Sequence, residues 1–242
     1  MIMHKYAHPK YFGKISRPLF WVSGYLAVIF WAVGLYLGLV ESPPDYQQKD
    51  TVRIMYIHVP AAWMSLFVYA SMAVAGLVFL IWKHILAGLY IRSVAGLGAA
   101  FTLICLITGA IWGAPTWGTW WVWDARLTSV LILFFLYAGI IVILDSFDTQ
   151  DAGLTAASWL AIIGSVNLPI IKFSVDWWNT LHQSASISSL ERLADPAMDT
   201  AFLQPLLIMT VAYFCTYLAM ASVRLDQELR MRKLMVAGAG ME

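Results

Sequence analysis

Charge is scarce in this sequence. Only 12% of its 242 residues are Asp, Glu, Lys or Arg, 61% are apolar, and the mean hydropathy is +0.73. A soluble domain of this length cannot hide that much apolar surface, so the solvent is lipid. The formal net charge of +1 argues against a nucleic-acid partner. Cysteine is nearly missing: Cys105 and Cys215 lie inside apolar runs and form no CxxC pair, so both read as small core residues. No P-loop is present, so the chain does not hydrolyse ATP by itself. Neither a nucleophile–base pair nor a paired-carboxylate site stands out, which points to a binding and handling device and not an enzyme. The apolar runs also lack the chain of Asp, Glu, His and Arg that a proton relay or ion pathway needs. Lys172 is at the end of one run, where its amine can snorkel to the interface.

Six apolar runs meet the length of about 20 residues that a bilayer span requires. They lie near 19–40, 59–82, 94–112, 129–144, 154–173 and 202–223, the fourth starting a few residues before its apolar core. The pattern predicts an all-α, polytopic membrane protein with six transmembrane helices in a single membrane domain. Asn167 and Pro169 predict a local break in the fifth helix. The first run is too long for a signal peptide, and Glu41-Ser42-Pro43-Pro44 offers no small-residue cleavage site. Lys and Arg set the orientation. Lys5, Lys10, Lys14, Arg17, Lys83, Arg92, Arg224, Arg230, Arg232 and Lys233 share one side, and Lys49, Arg53, Arg126, Lys172 and Arg192 the other. Both termini are therefore expected inside, with the loops near 41–58, 113–128 and 174–201 outside. The acidic loop with Asp145, Asp148 and Asp151, and the mixed-charge tail from Arg224, read as solvated faces.

Tryptophan, by contrast, is abundant and lopsided. Of twelve in the chain, Trp112, Trp117, Trp120, Trp121 and Trp123 crowd into the segment WGAPTWGTWWVWD, which ends on Asp124. Trp63, Trp177 and Trp178 lie near the same outer boundary, whereas Trp21, Trp82 and Trp159 lie near the inner one. An interfacial aromatic belt would be roughly symmetric, so a belt alone does not account for the cluster. If the segment is helical, Trp117, Trp121 and Asp124 share a face at i, i+4 and i+7. Asp124 also stands where an N-cap of the fourth helix belongs. Arg126, two residues on, can pair with a ligand carboxylate or a lipid phosphate.

Two histidines join this face from different loops. His58 lies in YIHVPAAW, with Pro60 expected in the first turn of the second helix, and His182 follows the aromatic pair in DWWNTLHQ. His4, His8 and His84 fall on the inner side. Either outer histidine alone is weak evidence. Together they can approach opposite faces of a metal, as axial ligation of haem iron requires. Zinc is disfavoured because the outer loops supply no third or fourth ligand at characteristic spacing. A Trp-lined platform at lipid level suits a flat macrocycle with an apolar body and two propionates, so the implied group is haem b.

These motifs, together with the stretch DPAM at 195–198, resemble the haem-handling family of bacterial cytochrome c maturation, with its Trp-rich WWD motif. The likeness spans about 53–198 and is greatest to the short six-span members. Ser184 departs from a position where that family commonly has glycine. The resemblance implies that His58 and His182 are axial ligands. It implies that Trp117, Trp120, Trp121, Trp123 and Asp124 present the haem edge to a membrane-anchored periplasmic haem chaperone. It further implies an inner-membrane complex with the membrane and ATPase subunits of an ABC-type transporter and a small single-span accessory subunit. Larger relatives that complete haem ligation to apocytochrome have many more spans. Two other readings stay open: a b-type electron-transfer subunit, which would usually carry its histidines within spans, and a structural transporter subunit with the Trp cluster as docking surface.

Overall fold

In lipid a backbone can satisfy its own polar groups only as a helix or a closed barrel, and the apolar runs become helices. The structure, a computed structural model, describes residues 9–182 and 198–239. His4, His8, Lys5, Ser184, Arg192 and residues 195–197 lie outside the described residues. Helix α1 (Pro9–Tyr36) ends in a wide turn at Leu37–Glu41. A 3-10 turn (Asp50–Ile54) leads into α2 (Met55–Trp82), followed by α3 (Ile85–Trp117) and α4 (Ala125–Leu144). The fifth span is made of α5 (Gln150–Gly164) and α6 (Asn167–Trp177), and α7 (Thr200–Ala239) closes the bundle. Among the described residues, six stretches are long and apolar enough to cross a membrane: Tyr11–Glu41, Asp50–Trp82, Ile85–Trp117, Ala125–Leu144, Gln150–Trp177 and Thr200–Ala237. Helices α1 and α7 pack together, with Gly13 of α1 against Asp226 of α7.

The helices outrun the apolar cores from which they were read. Helix α3 begins at Ile85, not at 94, because the charged Arg92 is paired within it. Its guanidinium donates to the Leu144 carbonyl at 3.1 Å, meets Asp145, and lies 3.2 Å from Glu228. The same helix runs on to Trp117 and stops at Gly118, whose φ of +75° lets its N–H return to the Ala114 carbonyl at 3.0 Å. The expected break in the fifth span falls at Ser165–Val166. Just beyond it, Asn167 ties the span to α4 by donating its side-chain amide to the Ser129 carbonyl at 2.9 Å. Helix α7 has 40 residues, a length of about 60 Å at 1.5 Å per residue, twice a bilayer core. Its tail meets the acidic loop: Arg232 bonds Asp151 and Gln150, each at 2.7 Å.

Between the helices the core is aromatic, with Tyr56, Tyr69, Tyr137 and Tyr213 buried among Met72, Leu89, Leu133 and Leu154. Each hydroxyl needs a partner away from water. Tyr137 donates to the Ser65 carbonyl at 2.7 Å, and Tyr213 to the Ile57 carbonyl at 3.2 Å. Ser71 donates to the Val68 carbonyl at 2.7 Å, so it accepts from Tyr90 at 2.6 Å, and Tyr90 in turn accepts from Tyr217. Such bonds tie α2, α3, α4 and α7 into a frame that holds one face of the bundle still.

Candidate functional site

His58 projects from the first α-turn of α2 onto α3. Its Nδ1 lies 3.1 Å from the Cys105 carbonyl and 3.1 Å from Thr108 Oγ1. The Thr108 hydroxyl spends its proton on the Ile104 carbonyl at 2.6 Å, so both partners offer His58 an acceptor. The proton therefore belongs on Nδ1, and Nε2 keeps its lone pair. Trp112, one turn further along α3, stands edge-on to the imidazole with ring centroids 5.7 Å apart. Gly109 completes the seat: a Cβ there would stand 3.0 Å from His58 Cε1. Pro60 is not in the first turn of its helix. The chain is already helical from Asp50, so Pro60 lies inside α2, where its missing N–H leaves the Tyr56 carbonyl without its usual partner. For the same reason His58 falls within a spanning helix, at its Trp-rich end, and not ahead of it.

His182 reaches the same face from the segment after α6. Its Nδ1 lies 3.4 Å from Asp124 Oδ2, and its ring meets Trp117 edge-on at 4.8 Å. Asp124 is the N-cap of α4, as expected, with Oδ1 accepting from the Leu127 N–H at 2.7 Å. One carboxylate thus serves both roles, one oxygen for each, and its side chain is only 6% exposed. Burial lowers the His182 pKa; the Asp124 carboxylate opposes that and Arg126 reinforces it, with a net shift downward. The ring is neutral at pH 7, its proton directed to Asp124 and its Nε2 lone pair free for a ligand.

The tryptophans sort into two sets. Trp112, Trp117 and Trp121 pack inward, and the Trp121 Nε1 is buried with no hydrogen-bond partner among the described residues. Trp120 and Trp123 face outward, 65% and 76% exposed. Trp117, Trp121 and Asp124 do not share a helical face, because α3 ends at Trp117 and no helix resumes until Ala125. Trp177 stacks on Phe173 and meets Trp178 edge-on, and no ring contact among the described residues joins that pair to the Trp-rich loop. Arg126 turns into the protein, donating from Nε to Ser174 Oγ at 3.1 Å and from Nη2 to the Lys172 carbonyl at 3.4 Å. Sequence reasoning missed Gln48, whose Oε1 accepts from Trp112 Nε1 at 2.8 Å. It also missed Cys105, Thr108 and Gly109, which line the His58 seat beside Trp112, and their helical spacing to Trp112 was the available signal.

Fold and site define a polytopic, all-α membrane protein of six spans that gathers two neutral histidines and its Trp-rich loop on one face. The chain belongs to the heme exporter protein C family, whose model matches residues 2–238, well beyond the segment that carries the motifs. It is 44% identical over 225 residues to "Heme exporter protein C" of Bradyrhizobium diazoefficiens, covering 93% of this chain and 84% of that protein. The protein of the same name from Haemophilus influenzae is 47% identical over 227 residues, 94% of this chain and 91% of the relative. A "Putative cytochrome c biosynthesis ccmC-like mitochondrial protein" from Marchantia polymorpha is 47% identical over 183 residues, 76% of each chain.

Proposed function

We propose that this protein holds haem b between His58 and His182 and hands it to a membrane-anchored haem chaperone during c-type cytochrome maturation. One observation carries the reading: each histidine has its Nδ1 occupied by an acceptor fixed in the frame, which leaves two Nε2 lone pairs on the Trp-rich face. The donor set fits haem iron, which takes neutral imidazole on both sides. The exposed faces of Trp120 and Trp123 offer apolar area for a macrocycle, and the orphaned Trp121 Nε1 offers a donor for a propionate. Trp112 and Trp117 act as walls to the two imidazoles, Arg126 carries its charge close to both, and on this reading Trp177 and Trp178 add exposed aromatic surface at the end of α6.

The excess of Lys and Arg at the opposite end of the bundle supports a cytoplasmic location for both termini and a periplasmic one for the Trp-rich face, in a bacterial inner membrane. On this reading the membrane and ATPase subunits of an ABC-type transporter and a single-span accessory subunit assemble with the chain, whose own residues bind and orient haem without bond chemistry. Co-expression with the chaperone tests it. Covalent haem on the chaperone is expected with the wild-type chain and lost with His58→Ala and His182→Ala; equal loading by all three contradicts the reading.

Gly109 gives a sharper check. Alanine favours a helix over glycine by about 1 kcal/mol, which offsets the cost of the tight contact with His58, so Gly109→Ala is expected to fold. Its Cβ pushes the His58 imidazole, so haem should dissociate about tenfold faster, the low end for an outer-shell change. Unchanged dissociation would show that the imidazole is not held where Gly109 places it.

A further inference from the structure

We infer that Gln48, in the loop between α1 and α2, is a positioning residue for the haem site: it fixes Trp112 and, through Trp112, the His58 imidazole. The inference rests on the haem reading above and adds a residue that neither the motifs nor the ligand set contains. Gln48 is half-buried in a loop whose neighbours Tyr46, Gln47 and Lys49 are exposed. Its side-chain oxygen accepts from Trp112 Nε1 at 2.8 Å, a donor that has to be met at the edge of a membrane. Trp112 in turn stands edge-on to His58 at 5.7 Å. The chain Gln48–Trp112–His58 therefore links the first loop to one of the two ligand nitrogens.

The loop is built to aim that one side chain. Asp45 and Lys49 exchange backbone hydrogen bonds of 3.1 and 3.0 Å, closing a tight turn around Gln48. Asp45 Oδ1 accepts from the N–H groups of Gln47 at 2.9 Å and Gln48 at 2.7 Å. The Gln48 carbonyl accepts from Thr51 N–H at 3.1 Å and from Thr51 Oγ1 at 2.5 Å. Both backbone polar groups of Gln48 are thus satisfied within the turn, which leaves its amide free to serve Trp112. Closing the turn requires Lys49, a non-glycine residue, to hold a φ of +52°, a local strain that the surrounding bonds sustain. At its far end the loop is anchored as well, since Arg53 Nη2 donates to the Ser42 carbonyl at 3.0 Å and Ser42 Oγ bonds Tyr56 in the core at 2.5 Å.

The test uses the full-length protein loaded with haem in detergent, with haem loss followed by transfer to excess apomyoglobin. Gln48→Leu removes the acceptor, Trp112→Phe removes the donor but keeps a ring, and Gln48→Glu keeps an acceptor oxygen. Gln48→Leu and Trp112→Phe are each expected to speed haem loss about fivefold, the worth of one neutral hydrogen bond, and Gln48→Glu to stay within about twofold of wild type. The double variant should be no faster than either single one, because both break the same link. Solvent exchange of the Trp112 indole N–H, measured without haem, should rise in Gln48→Leu. Wild-type haem loss in Gln48→Leu, or losses that multiply in the double variant, would overturn the assignment. Should Gln48→Leu not fold, Trp112→Phe decides: haem loss at the wild-type rate sinks the link. His58→Ala measured alongside separates the two levels: if it too loses haem at the wild-type rate, the haem reading fails, and if it alone is faster, only the role of Gln48 does.

Discussion

His58→Ala and His182→Ala are each expected to lose haem almost completely, with retention falling by upwards of about 100-fold, since even outer-shell changes at metal sites cost 10–100-fold. The two variants should differ in a second property. His58 sits in a helix-lined seat made by the Cys105 carbonyl, Thr108, Gly109 and Trp112, so its removal leaves a shaped hole of imidazole size. Added imidazole can enter that seat, donate to the Cys105 carbonyl and restore a low-spin haem spectrum. His182 has fewer walls, Trp117 and Asp124 among the described residues, and rescue there should need more imidazole. Optical titration of both variants checks this. Wild-type haem content in both would remove the histidines from the site.

Asp124→Asn should separate folding from ligation. Asparagine caps a helix about as well as aspartate, so the bond from Leu127 N–H and the start of α4 should survive. What changes is the partner of His182. An amide NH2 turned toward Nδ1 asks that nitrogen to accept, which drives the ring proton to Nε2 and makes it useless as a ligand. The same logic makes an Asp-to-Asn change costly wherever a carboxylate fixes a histidine tautomer. Haem affinity is expected to fall 10–100-fold, of order one to three kcal/mol, at unchanged thermal stability. Asp124→Ala loses the cap as well and should cost about 1 kcal/mol of stability besides. An Asp124→Asn protein with wild-type haem affinity would reduce Asp124 to a cap alone.

Apolar run length made six spans legible, because lipid leaves the backbone no other solution. The cap at Asp124 and the break near Asn167 were legible for the same local reasons. Helix ends were not: Arg92 looks like a loop residue until Asp145 and Glu228, distant in sequence, are seen to pair with it. The gathering of His58 and His182 with their tryptophans could be read from topology. Which nitrogen each one frees could not, because that depends on a backbone carbonyl of α3 in one case and on the second oxygen of a capping carboxylate in the other. Gln48 was invisible for a simpler reason. Its neighbours are polar and exposed, and a residue that acts by aiming another side chain has no composition signal of its own.

The most direct measurement is low-temperature electron paramagnetic resonance, with an absorption spectrum, on the intact protein purified from haem-replete cells. Ligation by two imidazoles predicts a low-spin ferric signal that is lost when either His58 or His182 is replaced. A high-spin signal in the wild type, or a low-spin one that survives both replacements, would contradict a haem held between these two histidines.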